Sequence, residues 1–197
     1  MNYFLIFILF LSSFSFGQLT ASEIEIKRQE HIAALSDSTT GILNSEEIEH
    51  LGDVTYFDHD ENYVITGLFT KSKGKKFKMP TSTERTPIYR RYGYLDFVYN
   101  DDTLRLEVYQ NVELAKQEKY KNYLFIPFKD ATSAKTTYGG GRYMDLEIPE
   151  NTQLIIDFNT AYNPYCAYSY RYSCPVPPKV NHLTIEINAG EKTPMRH

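Results

Sequence analysis

The sequence predicts an all-β domain, an antiparallel sandwich or barrel of about eight short strands, preceded by one or two short N-terminal helices. Three observations carry that prediction. From Asp53 onward the period changes to two, with apolar residues recurring in short runs. Turn-forming residues separate the runs, among them Asn100-Asp101-Asp102 and Gly139-Gly140-Gly141. Helical spacing is confined to the segment before Gly52.

The N-terminus stands apart from this domain. Phe4 to Leu11 is an unbroken apolar run, and Ser15-Phe16-Gly17 places small residues at the −3 and −1 positions before Gln18. Residues 1–17 therefore read as a secretory signal peptide, although Met1-Asn2-Tyr3 offers only the α-amino group as positive charge. The run is too short to cross a bilayer, which takes about 20 residues, so no stable membrane insertion is expected after cleavage. Residues 18–197 are then expected to form a single exported domain, periplasmic or extracellular.

Within that domain, Thr20-x-x-Glu23 is a capping box that opens a helix from Ala21 to about Leu35. Ile24, Arg28, His31, Ile32 and Leu35 share one face of it. Asp37 to Gly41 breaks the pattern, and Asn44-x-x-Glu47 opens a second short helix that Gly52 ends. Strands are expected at 62–71, 76–79 and 88–99. The turn Asn100-Asp101-Asp102 leads back into 103–109, with Leu104, Leu106 and Val108 on one face. Residues 111–122 are charged and read as a helical turn or a long loop. Further strands are expected at 123–128, 143–148, 154–159 and 182–188.

Composition narrows the function. Net charge is −4, with 21 basic and 25 acidic residues mixed along the chain, so a nucleic-acid partner is not expected. The densest basic run, Lys71 to Lys78, holds five lysines around Gly74 and reads as a solvated hairpin tip. Cys166 and Cys174 in an exported chain point to one disulfide, worth about 2.5 kcal/mol for so small a loop. Their spacing to His182 fits no familiar zinc site. The calcium-like start at Asp58 lacks both the glycine and the closing glutamate, so no metal is expected. Neither a nucleotide-binding loop nor a Gly-x-Ser-x-Gly motif is present, and no cofactor is implied. His31 and His50 lie on helices and read as surface residues.

Two segments collect chemistry-bearing residues. In Asp130 to Tyr143, three glycines allow a backbone anion nest, with Tyr138 and Arg142 beside it. In Asp157 to Asn181 sit Asp157, Asn159, Tyr162 and Asn163, both cysteines and a dense set of tyrosines that could stack on a flat ligand. The reading is a pocket for a small polar or anionic molecule formed by these segments. Arg142 is its anion anchor, Asp157, Asn159 and Asn163 are hydrogen-bonding residues, and Tyr138 and Tyr162 are its walls. Asp130 is the candidate acid/base if the pocket performs cofactor-independent hydrolysis or isomerisation. The alternative from another class is a non-enzymatic module that docks a cell-envelope protein or glycan. A third reading makes these residues structural, with Asp157 bonding loop amides and Arg142 closing a buried salt bridge. The sequence does not fix the oligomeric state.

A longer signature runs through the same segments. It comprises Phe125-x-Pro127-x-x-Asp130-x-Thr132-Ser133, Tyr138-Gly-Gly-Gly-Arg142-Tyr143-x-Asp145 and Asp157-x-Asn159-x-x-Tyr162-Asn163-Pro164-x-Cys166, followed by Cys174-Pro175-x-Pro177-Pro178-x-x-Asn181 and Ala189-Gly190-Glu191-Lys192. Together these resemble the bacterial and archaeal family catalogued as domain of unknown function 1684, loosely before Tyr123 and closely after it. The resemblance implies no substrate and no catalytic residue. It does imply that these polar, glycine and aromatic loop positions belong to a shared signature, which is where a site would sit.

Overall fold

The structure, a computed structural model, describes residues 19–194. The expected signal peptide lies outside the described residues, and among those described no helix is long and apolar enough to cross a membrane.

Helix α1 (Ala21–Ser36) begins with the full capping box: Glu23 N–H donates to the Thr20 hydroxyl, and Thr20 N–H donates to the Glu23 carboxylate at 2.7 Å. Ile24, Arg28 and Leu35 are buried along its inner stripe. Helix α2 (Ser45–Glu49) has a second capping box from Asn44 and Glu47. Both helices begin where local chemistry satisfies their first free amides.

The strands are β1 (Val64–Lys71), β2 (Lys76–Lys78), β3 (Ile88–Tyr99), β4 (Asp102–Asn111), β5 (Tyr123–Phe128), β6 (Arg142–Glu147) and β7 (Gln153–Asp157). They form one antiparallel sheet in the order β6-β5-β4-β3-β1-β7, with β2 paired to β3, curled into a half-barrel. The β3–β4 hairpin turns on Asn100 and Asp101, both at positive φ (49° and 67°), as a tight twisted hairpin requires. Residues 111–122 become two short 3₁₀ turns.

Alternation decides the two faces. Leu95, Phe97, Leu106, Val108, Leu124, Ile126, Met144, Leu154 and Ile156 join Phe128 and Phe158 in the main core. Out-of-phase residues Tyr109, Phe125 and Tyr143 form a second cluster with Tyr89, Met79 and Cys174 on the other side. The 162–175 loop covers that outer face, and the Tyr143 hydroxyl donates to Pro175 O. The chain leaving β7 returns to the opposite end of the sheet, where Tyr162 and Tyr143 exchange both backbone hydrogen bonds, at 2.9 and 3.0 Å.

Seven of the expected strands form, and the eighth does not. Residues 182–188 run beside 129–131, bonded through Leu183 N to Lys129 O and Ala131 N to Ile185 O, without building a ladder. Leu183 and Ile187 are nevertheless buried in the main core. The period of two correctly located their inward faces; a ladder needs a strand partner as well, and β5 already ends at Phe128.

Candidate functional site

Asp130 and Arg142 were expected to face a ligand, and both instead lie in the interior. Their side chains are each 1 % exposed, and Arg142 Nη2 donates to Asp130 Oδ2 at 2.9 Å. The same guanidinium donates to the backbone carbonyls of Ile187, Ala189 and Glu191. Asp130 Oδ1 accepts from Thr132 N–H, the Thr132 hydroxyl and Ile187 N–H. The pair thus fastens the 187–191 segment to the sheet, the role foreseen in the structural reading of this signature. The glycine turn serves the same packing. Gly141 has φ +93°, and a Cβ there would meet Phe128 O at 2.6 Å. Its neighbour Gly139 accepts from Lys129 Nζ at 2.7 Å. Tyr138 packs beside the helical cluster, its hydroxyl 3.9 Å from Cys166 Sγ.

The open candidate lies elsewhere, in a cleft of about 440 Å³ between α1 and the sheet end. Ile24, Lys27, Arg28, Glu30 and His31 line it from the helix; Tyr56, Asp145, Asn159, Thr160, Tyr162 and Tyr165 line it from the other side. A contiguous hollow shares Lys27, Asp145, Thr160 and Tyr162 and adds Asp157. Arg28 holds α1 in place, donating to Phe57 O at 3.0 Å and Asn159 O at 3.3 Å, with its guanidinium 4.8 Å from the Tyr56 ring centre.

Asp145 is the charged centre of this cleft. It shares the outer face of β6 with Tyr143 and stands opposite Phe125 on β5, which brings Tyr123 within diagonal reach. One oxygen, Oδ1, accepts from the Tyr123 hydroxyl at 2.7 Å and the Tyr162 hydroxyl at 2.8 Å. The other takes no hydrogen bond from the described residues. The carboxylate opens to water in the cleft, yet the surrounding protein displaces enough solvent to raise its pKa; the two tyrosines and Lys27 oppose that rise. Burial, reinforced by the carboxylate, pushes both tyrosines upward, so their hydroxyls remain protonated donors.

Asp157 and Asn159 shape the wall rather than reach into it. Asp157 Oδ1 accepts from Asn159 N–H and Nδ2, both at 2.9 Å, while Asn159 clamps Asp60 through Oδ1 and Nδ2. Asn163 lies behind, donating its backbone N–H to Glu191 Oε2 at 2.8 Å and Nδ2 to Lys192 O at 2.7 Å. Glu191 is fully buried, and burial raises its pKa to about 8 against the pull of Asn163 and Arg142. His31, with a side chain only 20 % exposed rather than on the open surface, lies 3.8 Å from that carboxyl. Burial lowers the imidazole pKa, so at neutral pH the two face each other uncharged.

Sequence reasoning missed Lys27 and Asp145, which line the cleft, and the buried Glu191 behind it. Asp145 and Glu191 already stood within the signature motifs; Lys27 gave no signal, because its role depends on where α1 docks. Cys166 and Cys174 are free thiols, with Cys166 N–H donating to Cys174 Sγ at 3.3 Å. A hydrogen bond from Cys174 lowers the Cys166 pKa. No group of three or more His, Cys, Asp or Glu among the described residues is placed to hold a metal ion.

Comparison with known proteins matches this signature rather than an activity. No curated protein matches the chain. The solution NMR structure of an uncharacterized protein from gene locus rrnAC0354 of Haloarcula marismortui is similar, with a TM-score of 0.66 and 31% identity over 87% of this chain and 93% of that one. A family model described as a protein of unknown function, DUF1684, matches residues 49–192, a span that contains Asp145, Tyr162 and Glu191. The chain therefore belongs to the DUF1684 family.

Proposed function

We propose that this is an exported protein that binds a small polar ligand in the Asp145 cleft. One observation carries the reading: Asp145 is oriented by two tyrosine hydroxyls on a single oxygen, leaving the other oxygen for a ligand. A carboxylate fixed in this way selects a hydroxyl or ammonium donor. Lys27, on the opposite wall, suits an anionic group on the same molecule, and the Tyr162 and Tyr165 rings suit its flat face. The cleft volume lies within the range of small-molecule sites, about 300–1,000 Å³, and its concavity favours a small ligand over a docked protein. If chemistry occurs there, Asp145 replaces Asp130 as the acid/base. Its upward shift and its open oxygen suit cofactor-independent hydrolysis or isomerisation.

A screen of sugars, amino acids and small carboxylates by thermal shift, followed by titration, tests this. Ligands that bind should lose about tenfold or more in affinity in Asp145→Asn, where the charge-assisted bond is gone. Hits that bind Asp145→Asn and Tyr162→Phe as tightly as the parent protein would remove the reading.

Export and the cysteine pair belong to the same proposal. In an oxidising compartment a disulfide-bearing oxidant takes two electrons and two protons from Cys166 and Cys174 and leaves them joined. Intact mass of the exported protein should begin at Gln18 and resist alkylation until reduced. Equal masses after alkylation with and without prior reduction would show that the thiols stay free.

A further inference from the structure

A second concavity, of about 280 Å³, is lined by Lys71, Lys73, Arg90, Arg91 and Tyr92 and shares no residue with the Asp145 cleft. We propose that it is a binding site for a phosphoryl-bearing anion. The sheet itself builds it. The register of β3 against β4 shifts between Arg91 and Gly93, leaving Tyr92 as the extra residue of a β-bulge. A bulge re-aims the side chains beside it, and here successive residues Arg90, Arg91 and Tyr92 border one hollow. The chain leaving β1 folds over the bulge, with Ser72 N–H donating to Tyr92 O at 2.9 Å and Gly74 N–H to Arg91 O at 3.0 Å. That contact needs a glycine, since a Cβ on residue 74 would meet Arg91 Cβ at 2.9 Å. Lys71 and Lys73 are thereby brought to the rim.

Two cations converge on one ring. Lys71 Nζ lies 5.2 Å and the Arg90 guanidinium carbon 5.7 Å from the Tyr92 centroid. Neither these two nor Lys73 forms an ion pair among the described residues. Arg90 binds only the neutral Gln110 amide oxygen, through Nε at 3.1 Å and through Nη2. The carboxylate that does reach this end of the sheet, Glu107, is already held by Arg91 at 3.0 Å and by the Tyr109 hydroxyl at 2.7 Å. Lys76 stands directly across the strand pair from Arg90, with exposed Lys75 and Lys78 beside it. In a chain of net charge −4, so many unneutralised cations around one concavity are a local feature rather than a compositional one. Their mutual repulsion is relieved by a compact multivalent anion, and two lysine point charges beside the Arg90 guanidinium, whose Nη1 takes no part in the Gln110 contact, suit a tetrahedral phosphoryl group.

The test uses the mature chain at low salt, titrated with inorganic pyrophosphate and followed by amide NMR. Vesicles of phosphatidylglycerol or phosphatidylcholine are floated in parallel. Saturable shifts at Lys71, Lys73, Arg90 and Tyr92 identify a free phosphate site; flotation with phosphatidylglycerol alone identifies a lipid headgroup, and either result supports the proposal. Lys71→Glu/Lys73→Glu alters only exposed side chains, so the fold persists, and binding should fall by about tenfold or more. Absence of both signals, or binding that is unchanged in the double variant, overturns it.

Discussion

Strand β6 sends Arg142 to one face of the sheet and Asp145 to the other, and the two meet opposite fates. Arg142 points inward with Phe128 and Met144 and is sealed against Asp130. Asp145 points outward with Tyr143 and is left open at the cleft, held on one oxygen by two hydroxyls. Both are hydrogen-bonded ionisable groups in the same six-residue strand. The inward one has every Nη committed to a carbonyl or carboxylate, whereas the outward one keeps an acceptor to spare. Burial with both Nη groups engaged marks a residue that holds the fold together, even with Nε left unpartnered, and an oriented carboxylate with one oxygen open to the cleft marks one accessible to solutes.

The largest effect should come from breaking the sealed side. Arg142→Met leaves the Asp130 carboxylate buried without its counter-charge and frees the carbonyls of 187–191. Chemical denaturation should show a loss of about 3–5 kcal/mol, and a loss below about 1 kcal/mol would mean the pair is not the clasp described.

A second effect, gated by pH, is expected at Glu191, the acid between the two regions. Gly190, at φ +75°, turns the chain so that Glu191 enters the interior. Burial holds its carboxyl near 8, against 4.5 for an ordinary glutamate. Between those values the folded state carries a proton that the unfolded state has lost. Stability therefore falls as pH rises across that window, with a limiting slope of about 1.4 kcal/mol per pH unit, and levels off above it. Glu191→Gln keeps an acceptor for Asn163 N–H and removes the titration. Its stability advantage over the parent should be small near pH 4.5 and should grow toward pH 8; parallel stability curves across that range would contradict the assignment.

The smallest effect is expected at Asp145. Asp145→Asn should alter folding stability by no more than about 1 kcal/mol while the proposed ligand loses about tenfold or more in affinity. If instead it destabilises as Arg142→Met does, the open face of β6 is structural too, and the contrast collapses.

Much of this was legible in the sequence, for identifiable reasons. The capping boxes at Thr20 and Asn44 and the Asn100-Asp101 turn are local chemistry, and local chemistry needs no tertiary partner. The signature motifs supplied residues to the cleft and to the interior alike: Tyr162 lines the cleft, while Asp130 and Arg142, in the same motifs, do not. A motif records that positions are fixed together, whether by packing or by a ligand.

What the sequence determined by itself, then, was which residues share a face. Period two put Leu183 and Ile187 in the core even where no strand formed, and placed Asp145 out of phase with Met144. Tertiary structure alone decided which face water reaches. Residues 187–191, distant in sequence, fold over Arg142 and close it. The docking of α1 leaves Asp145 facing a cleft, with Lys27 and His31 on the opposite wall. Burial depends on these long-range contacts, and burial is what turns one charge into a clasp and leaves the other open to the cleft.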